Sequence, residues 1–272
     1  MRPQFDDGYI RDELEHVGDH LTRPVTAYLL GGGAMAFRGL KDTTKDIDLV
    51  VGSGDELARL QGALADAGYD VVHDPDEAYE ELGAQRILEN ADGCRFDVFN
   101  QQVVGKLVLT DGMKQRSEPF VDAGELEVRL VSPEDIFLFK SVAGRVDDIE
   151  DMYTVLQTGI DFDAIETEVE AQIGELGGEL FVTYVNDALG EMEERFGATT
   201  PLREWVAERT ERVYEEIAIV QALEEGETIS ESGLHERVGL SESELTNALT
   251  RLEAKGVVDR DGETILYSGG SV

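Results

Sequence analysis

Asp46 and Asp48, two acids one residue apart, are the residues whose spacing points most directly to chemistry. They lie in a run of aliphatic and β-branched residues that predicts a strand over 46–51. Side chains two residues apart on a strand share a face, so the carboxylates are expected to converge. Converging carboxylates repel each other unless a cation lies between them, and their hard oxygens favour Mg²⁺, with Mn²⁺ as the alternative. The other interpretation is a pair of solvated acids in a chain rich in acids.

A glycine run, 31–33, precedes this strand and follows an apolar strand pattern over 25–30. A glycine turn that opens a helix presents backbone N–H groups, which bind phosphate well. We therefore expect Gly31 and Gly32 to bind a phosphate, ahead of a short helix over 34–40. The alternative is that the glycines only permit a tight turn from strand to helix.

Three cations, Arg38, Lys41 and Lys45, lie between the glycines and the paired acids. In a chain with few cations they suggest charge compensation beside a nucleotide, with Lys45 as a phosphate ligand. Pairing with neighbouring acids such as Asp42 is the equally open alternative.

A third acid, Asp97, stands among apolar neighbours in a strand pattern over 95–100. Transfer of phosphate-containing groups commonly uses two metal ions about 3.5–4 Å apart. A third carboxylate would complete such a site with Asp46 and Asp48. An acidic loop, predicted over 74–92, separates the two strands.

A lysine, Lys140, interrupts an apolar run in a helix predicted over 132–157, with a soft break at Gly144. At about 100° per residue, Asp147 and Asp151 fall within about 20° of Lys140 on one helix. This stripe predicts a lysine that reaches a triphosphate and is oriented by an acid. The alternative is a lysine that pairs with its own acids or extends to solvent.

The ordered set of glycine pair, Asp-x-Asp strand and later strand acid resembles the nucleotidyltransferase superfamily of the polymerase-beta type. The resemblance spans roughly residues 20–158. It is closest to minimal prokaryotic members, including relatives of abortive-infection toxins. In these, a later helix carries a lysine followed by an Arg-x-x-Asp stretch, matched here by Lys140 and by residues 145–148.

The resemblance implies Mg²⁺-dependent transfer of a nucleoside monophosphate from a nucleoside triphosphate (NTP) to a hydroxyl. An RNA end, a protein or a small molecule would provide that hydroxyl. Asp46, Asp48 and Asp97 would hold the metal, and Asp97 would help the attacking hydroxyl lose its proton. Two alternatives stay open. One is a nucleotide-sensing transcriptional regulator without catalysis, and the other is an antitoxin-like interaction protein that acts through its C-terminal part.

The whole chain is strongly acidic: 23 cations against 59 acids give a net charge of −36 and a pI near 4.2. Because 41% of the residues are hydrophobic, we expect a folded core rather than an acidic disordered tail. Only six of the cations are lysines. A dispersed acidic, lysine-poor surface resembles proteins of salt-accumulating halophiles such as haloarchaea, in which salt screens self-repulsion. The alternative is an acidic protein with a basic partner.

The single cysteine, Cys94, excludes an intrachain disulfide, and four scattered histidines give no zinc-ligand spacing. No apolar run approaches the roughly 20 residues that cross a bilayer, and the N-terminus has no apolar signal core. We therefore expect a cytoplasmic protein with no membrane partner.

Three parts follow one another along the chain. An α+β nucleotidyltransferase-like domain, with a mixed sheet and flanking helices, is predicted over 1–158, a helical connector over 159–210 and a winged helix-turn-helix over 211–272. The last part carries five cations against fourteen acids, which argues against plain DNA binding because DNA affinity depends on cations. We expect protein contact or homodimerisation there, with DNA contacted by Asn247 and Arg251 as the alternative. The other predicted elements are helices over 8–22 and 53–68, strands over 69–72 and 85–89, and a β-rich segment over 103–131.

Overall fold

The computed structural model of the chain describes residues 3–72, 86–103, 105–223 and 228–269. Its helices are α1 (Asp7–Gly18), α2 (Gly31–Phe37), α3 (Gly54–Asp66), α4 (Asp111–Arg116), α5 (Pro133–Ala143), α6 (Val146–Leu156), α7 (Phe162–Leu176), α8 (Leu180–Phe196), α9 (Leu202–Gln221), α10 (Glu231–Val238) and α11 (Glu242–Ala254). Its strands are β1 (Val25–Leu29), β2 (Asp46–Val51), β3 (Asp70–Val71), β4 (Arg86–Glu89), β5 (Arg95–Asn100), β6 (Gln102–Val103), β7 (Leu107–Val108), β8 (Glu118–Ala123), β9 (Leu126–Leu130), β10 (Thr228–Ser230), β11 (Val258–Asp261) and β12 (Thr264–Tyr267). Most of the acidic loop predicted over 74–92, and Gln85 of the predicted strand, lie outside the described residues.

A mixed sheet of seven strands lies at the centre, in the order β3-β4-β5-β2-β1-β9-β8. Strand β2 runs parallel to β5, and β1 runs parallel to β9, whereas β1 and β2 are antiparallel. Helices α1, α2 and α3 pack against these strands. The predicted α+β class, with a mixed sheet and flanking helices, is therefore confirmed.

The two central parallel strands have the predicted bounds. Strand β2 is buried from Ile47 to Val51, and β5 is buried from Phe96 to Phe99. Their aliphatic and aromatic side chains supply the apolar area that holds the sheet against its helices. An acid placed within either strand is therefore withdrawn from bulk water.

The helix predicted over 132–157 is two helices, which corrects the expectation of a soft break. Helix α5 begins at a cap made by Ser132 and ends at Gly144, whose φ of 65° lies in the left-handed region that favours glycine. Arg145 is extended, and α6 then begins with its own first turn. The change of direction at Gly144 means that residues before and after it do not share one helical face.

The segment predicted as β-rich over 103–131 also contains the short helix α4. Thr110 caps this helix by accepting a hydrogen bond from the backbone N–H of Met113 at 3.1 Å. Its signals in the sequence are one cap residue, an acid in its first turn and the cations Lys114 and Arg116 in its last turn. A single helical turn of this length is stabilised by packing rather than by its own propensity.

The C-terminal part has a second, smaller core. It comprises the end of α9, helices α10 and α11, and an antiparallel sheet in the order β10-β12-β11. The boundary predicted between residues 210 and 211 falls inside α9. This helix contributes to both cores, since Val213 packs in the large core and Ile219 in the small one. Across the described residues, no helix is both long and apolar enough to cross a membrane.

Candidate active site

Strand pairing brings two of the predicted acids together. Asp48 on β2 is directly opposite Asp97 on the parallel strand β5, and Asp46 lies two residues before Asp48. Neighbouring strands lie about 4.8 Å apart, and directly opposite residues face the same side of the sheet. Asp97 is 1% exposed and Asp48 is 8% exposed, whereas Asp46 is half-buried at the start of its strand.

The glycine run lies against these acids. Gly31 has a φ of 59°, and a Cβ built on it would overlap the Oδ2 atom of Asp48 and lie 3.1 Å from its Cγ. A Cβ on Gly32 would lie 2.6 Å from the hydroxyl of Thr44. The backbone N–H of Leu30 also donates to the carbonyl of Asp48 at 2.9 Å. Only glycine therefore lets the start of α2 approach the acidic strand this closely.

The pKa of the buried acid Asp48 is perturbed. Burial, followed by the nearby charge of Asp46, raises the pKa of Asp48 from 3.8 to about 6, against the opposing influence of Arg145 and Lys140. A carboxylate removed from water is costly to ionise unless a positive charge compensates it. This arrangement suits a site that gains a cation.

A cleft of about 330 Å³ opens beside Asp46 and Asp48. Its lining residues are Gln4, Gly32, Lys41, Thr43, Thr44, Lys45, Asp46, Asp48, Lys140, Arg145, Asp147, Asp148 and Asp151. Three of the chain's six lysines, all of which lie in the described residues, are in this set. With Arg145 they bring four cations to a lining that also has five acids, so the cleft has positive charge for a phosphate beside carboxylates for a cation.

Lys140 contacts the predicted Asp151, but its second partner is Asp148 instead of Asp147. Its ammonium lies 2.7 Å from Asp148 and 2.7 Å from Asp151. Asp147, which the single-helix geometry placed on the same face, is instead exposed at the rim of the cleft. The break at Gly144 shifts the facing position of α6 by one residue, so Asp148 takes the place assigned to Asp147.

The resemblance left open which of Asp147, Asp148 and Asp151 would serve Lys140, and the structure adds Asp148 to the predicted Asp151. Asp148 is 2% exposed, and its second oxygen accepts hydrogen bonds of 3.0 Å from the backbone N–H and the Nε of Arg145. Burial alone would raise its pKa, but Lys140 and Arg145 outweigh burial and hold the pKa of Asp148 below its ordinary value. The sequence signal that could have identified Asp148 is its position three residues after Arg145, the cap residue of α6.

Lys41 reaches the same network from the loop before β2. Its ammonium donates to both carboxylate oxygens of Asp151 at 2.8 Å. Asp151 therefore lies between two lysines, one from the loop and one from α5. The partners are 110 residues apart in the sequence, and no local pattern connects them.

The acids of the site have the donor atoms that Mg²⁺ prefers, and the glycine at 31 leaves room for one of them. Within the described residues, however, no group of three or more His, Cys, Asp or Glu side chains is arranged to hold a metal ion. Asp97 is not among the residues that line the cleft.

A mixed sheet with paired acids beside a glycine-opened helix is compatible with the nucleotidyltransferase class. The model of a family described as nucleotidyltransferase of unknown function (DUF6036) matches residues 9–176 of this chain, well over half its length. The chain therefore belongs to that family. No curated protein matches the chain.

Proposed function

We propose that the protein is a Mg²⁺-dependent nucleotidyltransferase that moves a nucleoside monophosphate from an NTP to a hydroxyl acceptor and releases pyrophosphate. The observation that carries the proposal is the register of Asp48 with Asp97, with Gly31 held against Asp48. A stable fold does not need two buried acids side by side, because burying like charges is unfavourable. Two such acids are expected in a site that binds a cation and a phosphate.

In the proposed transfer, the acceptor oxygen forms a bond to the α-phosphorus. The bond from that phosphorus to the oxygen bridging the β-phosphate breaks, and pyrophosphate leaves. The hydroxyl proton passes to a carboxylate that lines the cleft, because Asp97, the acid expected to take it, does not line the cleft. Asp46, Asp48 and Asp97 would hold Mg²⁺ or Mn²⁺, which would supply positive charge that stabilises the phosphate oxygens.

The test uses NTPs labelled at the α-phosphate, incubated with RNA, protein and small-molecule fractions in KCl and MgCl₂. We expect wild type to label one acceptor class and the Asp46→Asn/Asp48→Asn variant to fall to background. Asp122→Asn, which changes an exposed acid on β8, is the matched control and should retain labelling. Labelling that survives the double substitution would contradict the proposed site.

A nucleotide sensor without catalysis is the second candidate. It is favoured by the acids' failure to converge into a metal cluster within the described part of the chain. Equilibrium binding separates the two functions. Saturable NTP binding without label transfer to any acceptor would favour the sensor.

We further propose that α9, α10, α11 and the sheet of β10, β11 and β12 form a winged helix-turn-helix that contacts protein, either a second copy or, if this chain is antitoxin-like, its partner protein. The support is electrostatic. Arg251, a predicted DNA contact, instead pairs with Glu215 at 2.8 Å and Glu216 at 2.6 Å. The exposed positions of α11 carry Thr246, Asn247 and acids, with no cation among them. Sedimentation of the full chain, with and without duplex DNA, tests this assignment.

A further inference from the structure

Three lysines line the cleft, and two of them, Lys41 and Lys140, share the partner Asp151 but have unequal freedom. The Lys140 side chain is 4% exposed, whereas the Lys41 side chain is 37% exposed. Both contact Asp151. The question is which ammonium can leave its partners and bind an incoming anion.

Lys140 is committed to the protein. Its contacts with Asp148 and Asp151, both at 2.7 Å, place it between two carboxylates that are 2% and 6% exposed. Withdrawing the lysine would leave buried acids without compensation, which is strongly unfavourable. An ammonium also has only three donors, and two of them are used here. Lys140 therefore acts as a structural charge that keeps the network ionised.

Lys41 has the opposite position. It enters from a loop, lines the cleft together with Asp46 and Asp48, and keeps more than a third of its side chain in contact with solvent. When Lys41 turns from Asp151 to a phosphate, Asp151 keeps the contact with Lys140. The exchange therefore leaves no buried charge uncompensated, and it gives the phosphate a charge-assisted hydrogen bond.

We propose that Lys41, held ready by Asp151, is the cation that binds the triphosphate, and that Lys140 does not bind it. The inference rests on the proposed nucleotide function and assigns the phosphate-binding role within it. It departs from the sequence expectation, which gave this role to Lys45 and to Lys140, the lysine of the helix.

The experiment measures binding of inorganic triphosphate and of an NTP to the full chain by calorimetry, with and without MgCl₂. The variants are Lys41→Met, Lys41→Arg, and Lys114→Met as the control. Lys114 is a matched lysine, since it also pairs with an acid, Asp111, and its side chain is 35% exposed. Because a hydrogen bond between charged groups is lost, we expect Lys41→Met to weaken triphosphate binding about 10- to 100-fold. Lys41→Arg should restore most of the affinity, and Lys114→Met should bind as wild type does.

Lys140→Met/Asp151→Asn, which removes the Lys140 ammonium together with the carboxylate that it shares with Lys41, is measured beside them, with circular dichroism to establish that it is folded. We expect this folded double variant to bind triphosphate within about threefold of wild type, because Lys41 is intact and Asp148 keeps its contact with Arg145. If Lys41→Met binds as well as wild type, the assignment to Lys41 is wrong while nucleotide binding stands. If wild type binds neither triphosphate nor NTP, the proposed function itself fails and this inference fails with it.

Discussion

Gly31 lies directly against the carboxylate of Asp48, so close that a single added methyl group would occupy the position of an oxygen atom. The glycine has a φ of 59° and begins α2, while the acid lies on β2. This contact fixes the distance between the helix start and the acidic strand. It also explains the glycine without requiring that its N–H group bind a ligand.

Substituting Gly31 by Ala should therefore displace Asp48 and remove label transfer. We expect a loss of stability of about 2–4 kcal/mol, since the left-handed φ adds about 1 kcal/mol to the overlap with Asp48. Gly39→Ala is the control, because Gly39 also has a left-handed φ, of 69°, but nothing lies within 4 Å of the position that its added methyl group would take. Denaturant unfolding should show that both variants lose stability through backbone strain. Label transfer should be lost in Gly31→Ala and retained in Gly39→Ala. Equal activity of the two variants would contradict the role given to Gly31.

Asp48→Asn should stabilise the metal-free protein at neutral pH. Since folding raises the pKa of this acid from 3.8 to about 6, ionising it opposes folding by up to about 3 kcal/mol. The gain in free energy of unfolding should grow between about pH 4 and about pH 6 and stay constant above that, and it should vanish below pH 4, where both states are protonated.

The same variant tests the metal. At a constant ionic strength set with KCl, MgCl₂ should raise the free energy of unfolding of wild type more than that of Asp48→Asn, because a ligand that binds only the folded state stabilises it. Thermal unfolding across pH, with and without MgCl₂, measures both effects. A wild type that is indifferent to Mg²⁺ and to Mn²⁺ would count against a metal site here.

The central strands could be predicted from the sequence because their signals are local. In β2 and β5, alternating and β-branched apolar residues determine the element and its bounds, and the acids mark the exceptions. The cap at Ser132 was predictable for the same reason. Local patterns therefore placed Asp48 and Asp97 on strands, and only strand pairing determined that they are opposite each other.

The lysine network could be predicted only in part: the helical stripe placed Asp151 with Lys140, whereas the other contacts depend on where the chain turns. A glycine inside a helical pattern is tolerated in many helices, so the pattern does not reveal that Gly144 adopts a left-handed φ of 65° and ends the helix. Because a second helix begins after Gly144, Asp148 rather than Asp147 is the partner of Lys140. The contact between Lys41 and Asp151 joins separate elements and has no sequence signature.

Asp148→Asn should destabilise the protein in a pH-dependent way. Folding lowers the pKa of this acid, because Lys140 and Arg145 outweigh the effect of burial. Its contribution to stability is therefore complete above the unfolded pKa of about 3.9 and is lost as the pH falls through the folded value. We expect a loss of about 3–5 kcal/mol at pH 7, as for other broken buried pairs.

Urea unfolding of wild type and Asp148→Asn between pH 3 and pH 7 checks this dependence. The difference between the two proteins should shrink on the acid side of pH 4. Asp111→Asn, which removes the exposed partner of Lys114, is the control and should change stability by less than about 0.5 kcal/mol at any pH. A pH-independent loss in Asp148→Asn would point to packing rather than charge.

Salt should stabilise this protein strongly. With 59 acids against 23 cations, repulsions between like charges outnumber the ion pairs, so screening removes more unfavourable than favourable interaction. The screening length falls from about 10 Å at about 0.1 M salt to about 3 Å at about 1 M. If screening returns about 3–5 kcal/mol, the unfolding midpoint should rise by about 10 °C or more over this range.

Thermal unfolding in a KCl series measures the effect, and a sucrose series matched for osmolality separates screening from general solute exclusion. The rise should be steep below about 1 M KCl, where screening changes most. The buried pairs of Lys140 should keep their contribution throughout, because salt screens buried charges far less than exposed ones. The loss caused by Asp148→Asn should therefore be nearly the same at low and at high KCl. A stability that is flat in KCl would reject the halophilic interpretation and leave a basic partner as the explanation for the acidic surface.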